Sequence, residues 1–168
     1  MDDLQRLVAT EAVRRTKATY WYALDTKNWP LLATVFGPDS IVDFRGERDL
    51  EPGEGIDKLR PVAEALADKD SAVAQGADNI IAFLVSVATP LKTVHHGHAP
   101  IIDVLGVDDA TAIWPMYDCV ESSANVMHGY GFYHETYRRD GARWYIRELV
   151  LTRLRMDGKN PLRDLTQP

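Results

Sequence analysis

The chain has 168 residues, of which 45% are hydrophobic and 26% are charged, and 25 acidic against 19 basic residues give a formal net charge of −6. This length and composition suit one globular domain, and the acidic balance argues against a protein that grips nucleic-acid phosphates with a basic face. The single cysteine, Cys119, excludes an intramolecular disulfide and a Cys-x-x-Cys metal knuckle. Because no secretory leader and no apolar stretch of bilayer length is visible, we expect a cytoplasmic protein without a membrane partner.

A long helix opens the predicted fold. Residues 3–26 carry an interrupted apolar stripe that begins at Leu4, and an aspartate at position 2 or 3 can cap its first turn. A short second helix is predicted from Trp29 to about residue 36. The sequence then predicts a turn at 37–39, a strand at 40–45, a polar loop at 46–55, a helix at 56–67, a poorly patterned stretch at 68–75 and a helix at 77–87. The helical pieces between residues 56 and 89 could form a lid over a pocket or an ordinary packed pair.

The second half of the chain predicts a β-sheet. Runs of β-pattern lie near residues 92–106, 109–122, 127–139 and 143–156, and Asp140-Gly141 is a strong hairpin signal. Helices followed by an antiparallel sheet predict an α+β fold, with the helices packed on one face of a curved sheet. Such a sheet, closed by helices, forms a pocket that can hold a ligand. We assign residues 1–156 to this single domain and residues 157–168 to a polar C-terminal tail.

Three blocks of the sequence resemble one protein family. The segment from Tyr20 to Asp39 is similar to the opening of SnoaL-like proteins, and Thr93 to Ala99 is similar to their histidine-containing strand, with Ala99 where asparagine is usual. Gly131 to Trp144 is similar to their closing hairpin. The resemblance implies a cone-shaped α+β barrel of the nuclear transport factor 2-like superfamily. That superfamily includes dehydratases, isomerases, dehydrochlorinases, cyclases, binding modules and noncatalytic oxygenase subunits.

The resemblance also implies candidate site residues. In bile-acid 7α-dehydratase, scytalone dehydratase and lindane dehydrochlorinase, a carboxylate at the end of the first helix pairs with a histidine on the strand after the helices, and these positions match Asp25 and His95. The bile-acid enzyme adds a tyrosine before the aspartate and a second aspartate after the histidine, which match Tyr20 and Asp118. The dehydrochlorinase has a lysine at the Tyr20 position and an arginine where the spacing puts Leu149, which argues against dehydrochlorination.

These residue types suit acid–base chemistry without a cofactor. Histidine has an ordinary pKa of about 6.5 and can act as a base near neutral pH. A buried carboxylate on its other ring nitrogen fixes the tautomer and stabilises the imidazolium that forms. We therefore expect His95 to be the base, Asp25 its orienting partner and Tyr20 a donor to a substrate oxygen. Asp118 would be a second polar anchor, or a proton donor if burial raises its pKa.

Each of these residues also has a purely structural interpretation. Asp25 can cap a helix end, His95 can be a satisfied core histidine, and Asp118 can lie exposed on the outer face of the sheet. Tyr20 can pack in the core, because a spacing of five residues on an ideal helix places it about 140° from Asp25. The sequence leaves these alternatives open.

Further candidate residues could line the pocket, and two histidines raise the question of a metal site. Side chains that could line an inner wall are Trp114, Met116, Met127, Phe132, Leu149 and Leu151. This lining favours a small hydrophobic ligand of aromatic, steroid-like or terpenoid type. His96 and His98 leave their strand on the face opposite to His95, where a metal would need a third ligand. We expect no metal and no other cofactor, because the glutamate that follows such a histidine pair in cupin-type sites and the glycine-rich phosphate motifs are missing.

The sequence therefore predicts a cofactor-independent lyase or isomerase, most like a dehydratase, that acts on a hydrophobic hydroxy or keto compound. One alternative is a noncatalytic ligand-binding or oxygenase-subunit-like domain, which would fill the site with packed side chains. Another is a polyketide-cyclase-like aldol enzyme that shares the histidine–aspartate pair. The family resemblance also implies self-association, with a homotrimer favoured over a dimer.

Overall fold

The computed structural model describes residues 1–48, 52–54, 56–58, 61–67 and 72–161. Its helices are α1 (Asp3–Asp25), α2 (Trp29–Ala33), α3 (Arg45–Arg48), α4 (Val62–Leu66) and α5 (Ala77–Ala88), with a 3-10 turn at Ile56–Lys58. Its strands are β1 (Phe36–Asp43), β2 (Val73–Gln75), β3 (Lys92–Gly97), β4 (Ile101–Val104), β5 (Asp109–Glu121), β6 (Val126–Asp140) and β7 (Arg143–Gly158). Among the described helices, none combines the length and hydropathy needed to cross a bilayer.

The first helix forms where the sequence predicts it. Its N-terminus is a capping box, in which the Asp2 carboxylate accepts from the Gln5 amide and the Gln5 side chain accepts from the Asp2 amide. The residues that the helix buries are Ala9, Val13, Lys17, Tyr20, Ala23 and Leu24. The helix ends at Asp25, so the candidate carboxylate lies at the helix terminus nearest to α2.

The sheet is curved and mixed. Its strand order is β2-β1-β7-β6-β5-β3, with β4 also paired to β5, and within the described residues it does not close on itself. The long pairs β5–β6 and β6–β7 are antiparallel, whereas β1 runs parallel to β7. The β6–β7 register shifts between Tyr130 and Gly131 and again between Thr136 and Tyr137, and such irregularities bend strands. The helices cover one side of the bent sheet, which confirms the predicted α+β class.

The prediction for the first strand is wrong in detail. Residues 37–39, predicted as a turn, lie inside β1, where the pairing with β7 shifts register between Phe36 and Ile41. The strand ends at Asp43 rather than at residue 45. It ends there because the Asp43 carboxylate binds both the backbone amide and the guanidinium of Arg45, which turns the chain into α3.

Other boundaries differ from the prediction for identifiable reasons. Residues 73–75 form β2 against β1, and three residues are too few to show a strand period. The run predicted at 92–106 is divided into β3 and β4, because Pro100 lies between them and cannot donate a ladder hydrogen bond. The helix predicted at 77–87 is confirmed as α5. Of the tail predicted at 157–168, the first two residues belong to β7, and residues 162–168 lie outside the described residues.

The core lies between α1 and the inner face of the sheet. Alternate residues of β5 and β6 face inward, from Ala110 to Val120 on β5 and from Met127 to Tyr137 on β6. Tyrosine side chains take a large part of this space, since Tyr20, Tyr133 and Tyr137 are all buried. Their hydroxyl groups make the core titratable at high pH.

Burial raises the pKa of these three core tyrosines, and Glu135 reinforces the effect at Tyr137. Because their folded-state pKa values exceed those of the unfolded chain, their stabilising contribution is present below about pH 10 and is lost as the pH rises through the folded values. We expect the ionisation of these tyrosines, measured by the absorbance of tyrosinate, to coincide with loss of the circular-dichroism signal. Tyr22→Phe, at an exposed position, is the control and should leave this late step unchanged. Ionisation of all seven tyrosines in the folded protein would contradict this account.

Candidate active site

Asp25 and His95 meet where the end of α1 crosses β3. His95 Nδ1 lies 2.7 Å from Asp25 Oδ1, and the His95 backbone amide donates to Asp25 Oδ2 at 2.8 Å. The His95 side chain is 6% exposed and that of Asp25 is 23% exposed, so the pair lies just inside the surface. An ionised carboxylate can only accept hydrogen bonds. The proton between the two side chains therefore resides on Nδ1, and Nε2 is the ring nitrogen left to act as a base.

A third donor reaches Asp25 from the same strand. The Thr93 hydroxyl donates to Asp25 Oδ1 at 2.8 Å, and the Lys27 ammonium donates to the Thr93 oxygen at 3.0 Å. Burial alone would raise the pKa of Asp25, but the hydrogen bonds and charge of His95, with the Thr93 hydroxyl, outweigh it and hold that pKa below its usual value. Asp25 is therefore ionised at neutral pH.

Asp118 lies on the other side of His95, opposite it in the β3–β5 register. Its Oδ2 is 3.9 Å from His95 Nε2, which is beyond hydrogen-bonding distance. Both carboxylate oxygens instead accept from the Arg153 guanidinium, at 2.9 and 2.8 Å, in a buried pair. Gly129 makes room for this pair, because a Cβ there would lie 2.3 Å from Asp118 Oδ1. Asp118 is thus buried, not exposed on the outer face.

Tyr20 lies deeper in the core than the Asp25–His95 pair. Its ring packs edge-on against Phe36 and Tyr133, with centroids 6.1 Å apart in both cases. Burial raises its pKa, and the Tyr133 side chain opposes the rise although no hydrogen bond of regular geometry joins the two. Among the described residues, neither the buried Tyr20 hydroxyl nor the buried Trp21 indole nitrogen has a hydrogen-bond partner. Two donors are therefore available in this part of the interior.

A second charged cluster lies in the same interior, and the sequence analysis missed it. The Lys17 ammonium contacts the Glu135 carboxylate, and both side chains are completely buried. The Tyr137 hydroxyl donates to the other Glu135 oxygen and accepts from the Trp114 indole at 3.2 Å. The ammonium also lies over the rings of Tyr20, Trp21 and Tyr133. Burial lowers the pKa of Lys17 to about 8 against the opposing effect of Glu135.

The candidate lining residues do not all lie on one wall. Those buried on the inner face of the main core are Trp114, Met116, Leu149 and Leu151. Met127 is buried in a separate cluster with Leu91 and Val120. The placement predicted for Phe132 is wrong. Its position in the alternating pattern of β6 puts it on the outer face, with its ring centroid 6.2 Å from that of His134.

The last strand supplies an arginine that sequence spacing did not identify. Leu149 occupies the arginine position of the dehydrochlorinase pattern, but Arg153 lies on the same inward row of β7 and reaches Asp118. The argument against dehydrochlorination that rested on Leu149 therefore loses its basis. A regular alternation of inward positions along β7 would have indicated Arg153 from the sequence.

The neighbouring histidine faces away from the candidate site. His96 lies on the outer face of the sheet, with its ring 6.1 Å from that of Tyr117. Within the residues that the structure describes, no group of three or more histidine, cysteine, aspartate or glutamate side chains is arranged to hold a metal ion.

Comparison with known proteins identifies the family. A family model described as the SnoaL-like domain matches residues 5–150. The chain belongs to the SnoaL-like domain family. Solved structures similar to this SnoaL-like protein include a type 2 hexachlorocyclohexane dehydrochlorinase, with a TM-score of 0.73, 15% identity and 95% of each chain covered. A scytalone dehydratase-like protein from Novosphingobium aromaticivorans has a TM-score of 0.71 and 20% identity over 93% of this chain and 91% of that one.

A third similar structure widens the range of functions on this fold. It is an aromatic ring hydroxylase-like protein from Novosphingobium aromaticivorans, with a TM-score of 0.69 and 16% identity over 88% of this chain and 91% of that one. At such identities the likeness of this SnoaL-like protein to solved structures shows the fold alone. The predicted family and fold are confirmed, and the reaction has to be argued from the site.

The buried Lys17–Glu135 pair generates a stability prediction. Lys17→Met should lower the free energy of unfolding by about 3–5 kcal/mol, because it leaves the Glu135 charge buried without its partner. The double variant Lys17→Met/Glu135→Leu should recover most of this loss, since apolar side chains of similar size often replace a buried pair at little cost. Urea denaturation measures all three proteins.

An exposed pair provides the control for this experiment. Lys92 and Glu121 lie 3.3 Å apart at the surface, and Lys92→Met should change the free energy of unfolding by about 1 kcal/mol or less. A double variant that loses as much stability as Lys17→Met would show that the unpaired Glu135 charge is not the cause of the loss.

Proposed function

We propose that this protein is a cofactor-independent lyase or isomerase of dehydratase type, with His95 as the base and Asp25 as the residue that orients it. The observation that carries the proposal is that Asp25 accepts two hydrogen bonds from His95, one from the ring and one from the backbone amide. The dehydrochlorinase and the scytalone dehydratase-like protein, similar in fold, support an elimination reaction.

The proposed chemistry uses Nε2 of His95. It removes a proton from a substrate carbon, the electrons of that C–H bond form a carbon–carbon double bond, and the bond to the leaving oxygen breaks. The imidazolium then returns its proton to the leaving hydroxyl, so that water departs and His95 is neutral again. Ionised Asp25 stabilises the imidazolium between these steps. Because Arg153 engages both oxygens of Asp118, Asp118 fits the role of anchor better than that of proton donor.

The interior also supports the proposed substrate class. The Tyr20 hydroxyl stays protonated because burial raises its pKa, and it lies with the Trp21 indole among apolar and aromatic side chains. A keto or hydroxy oxygen on a hydrophobic molecule would accept from these donors. We therefore propose an aromatic, steroid-like or terpenoid substrate with one such oxygen near the reacting carbon.

A second candidate is a noncatalytic ligand-binding or oxygenase-subunit-like domain. A structure of similar fold is described as an aromatic ring hydroxylase, which relates the fold to the oxygenation of aromatic rings. A polyketide-cyclase-like aldol enzyme would use the same two residues on a different substrate. The noncatalytic candidate differs from both enzymes in having no need for the basic nitrogen of His95.

The test of the catalytic proposal is turnover by matched variants. A panel of hydroxy-steroids, aromatic alcohols and terpenoids is incubated with the protein, and loss of water is followed by mass spectrometry. His95→Gln and Asp25→Asn should each lower kcat/KM roughly 10²–10⁴-fold, because a positioned base contributes about that much, whereas Tyr22→Phe at the exposed helix surface should retain full activity. Unchanged turnover by His95→Gln would remove His95 as the base. Binding of panel compounds without turnover would favour the noncatalytic candidate.

We also propose that the protein forms a homo-oligomer, with a trimer favoured over a dimer, through the outer face of the sheet. Large apolar side chains are exposed there, including Val94, Tyr130 and Leu154 at 48%, 38% and 58%. A sheet face of this kind is normally covered in the functional assembly.

Light scattering after size exclusion should give about three times the chain mass of 18.9 kDa. The double variant Tyr130→Glu/Leu154→Glu should shift the protein towards monomer, because it puts like charges into the contact. Tyr22→Glu, on the exposed face of α1, is the control and should not. A wild-type monomer at working concentration would end this proposal.

A further inference from the structure

A lysine in a strained backbone conformation follows the candidate carboxylate. Among the residues that the structure describes, Lys27 is the only one other than glycine with a positive φ, at 58°. Side chains with a Cβ are disfavoured there, and glycine or asparagine is the usual residue. Strain of this kind persists where the surrounding structure or the function requires it.

The turn itself does not require a lysine. The Asn28 amide donates to the Ala23 carbonyl at 2.8 Å, and the Lys27 amide donates to the Leu24 carbonyl at 3.2 Å. These two bonds form a Schellman motif, the common end of an α-helix, in which Lys27 occupies the position that glycine takes most often. Glycine would make the same turn with less strain, so the backbone alone gives no reason for the lysine.

The Lys27 side chain supplies a reason. It folds back towards β3, and its ammonium donates to the Thr93 oxygen, while the Thr93 hydroxyl donates to Asp25 Oδ1. An ammonium group has no acceptor. It therefore occupies a lone pair of the Thr93 oxygen and leaves the single hydroxyl proton for Asp25. Lys27 thus disfavours the alternative arrangement, in which a protonated Asp25 would donate to the Thr93 oxygen.

We propose that Lys27 is a positioning residue, which acts through Thr93 to keep Asp25 ionised and fixed as the acceptor of the His95 Nδ1 proton. Its role in catalysis rests on the proposed function, because it needs Asp25 and His95 to be the working pair. Lys27 itself contacts neither the His95 ring nor, in the proposed reaction, the reacting atoms.

The charged surroundings of Asp25 agree with this role. Besides Lys27 on the turn after α1, the ionisable groups around it are His95 on β3, Asp118 beyond His95 on β5, and Tyr20 on its own helix. Burial lowers the pKa of Lys27, and the negative charge of Asp25 opposes that change. The Asp25 charge therefore acts on Lys27, whereas the path from Lys27 back to Asp25 runs through the Thr93 hydroxyl, which helps to lower the pKa of Asp25.

Nuclear magnetic resonance can test the role without a known substrate. The probes are the ¹³C signal of the Asp25 carboxyl through an acid titration and the ¹⁵N signals of the His95 ring, which report its tautomer. Lys27→Gly should raise the pKa of Asp25 and move His95 towards a mixture of tautomers. Thr93→Val should do so more strongly, with roughly a tenfold increase in the proton affinity of Asp25, because a hydrogen bond to a charged group is lost outright.

Two controls separate this role from a structural one. Lys27→Arg keeps a cationic donor and should restore near wild-type signals. Lys92→Met removes an exposed ammonium from the strand that carries Thr93 and His95, and should change nothing.

Thermal unfolding supplies a second readout, the pH dependence of the change in Tm, which a lysine without a link to Asp25 would not give. Lys27→Gly should raise Tm, because it relieves the left-handed strain, while it weakens the hold on Asp25. Because the pKa of Asp25 is lower in the folded than in the unfolded protein, its ionisation stabilises the fold at a pH above the unfolded pKa. This stabilisation is lost as the pH falls through the folded pKa. The gain in Tm should therefore be larger at about pH 3 than at pH 7.

Unchanged Asp25 and His95 signals in Lys27→Gly would overturn the proposal and leave the lysine as a turn residue. That result is distinguishable from failure of the proposed function. The latter would appear as normal turnover by His95→Gln, whatever Lys27→Gly does to the Asp25 titration.

Discussion

The attachment of the end of α1 to β3 through Asp25 is the contact on which the interior depends. One carboxylate accepts from the His95 ring, the His95 backbone and the Thr93 hydroxyl, and hydrogen bonds to charged groups contribute about 1.5–3 kcal/mol each. The helix is thereby held over the inward face of β3, and its buried row of side chains is aimed at β5 and β6. The same contact that fixes the helix also fixes the tautomer of the candidate base. Structural and chemical requirements are therefore met by one residue, which explains why a carboxylate with three donors stands at the end of a mostly apolar buried helix face.

Two of the charged centres in the described interior are separated by aromatic rings. Asp25, with His95 and Asp118 near it, forms one centre, and the Lys17–Glu135 pair forms the other. Tyr20 lies within electrostatic reach of both, because the charges of Glu135, Asp25 and Asp118 all act on its pKa. Each buried carboxylate has a cationic or hydrogen-bonding partner, as burial of charge demands.

The sequence predicts this site unevenly, for physical reasons. Asp25 and His95 could be matched to the family's site positions because each has a recognisable local setting. Asp25 lies at a predicted helix end, and His95 lies in an alternating strand. Met127 and Phe132 were assigned to one wall, although positions five apart in a regular strand face opposite sides, and the structure separates them. Lys17 falls on the buried stripe of α1, but a charge is ordinarily expected in solvent. Its partner is 118 positions away, so no local signal announces the pair.

The spacing around His95 determines what the ring can do. Asp118 stops 3.9 Å from Nε2 because the Arg153 guanidinium holds both of its oxygens, and Gly129 leaves the room in which that pair sits. A carboxylate one ångström closer would hydrogen-bond to Nε2. A ring whose two nitrogens both donate to carboxylates is stabilised as imidazolium and has no lone pair with which to accept a proton. At the observed distance the carboxylate can still favour a cation that forms during a reaction. The Asp118–Arg153 pair is therefore compatible with the proposed role of His95, in which the ring gains a proton and gives it back.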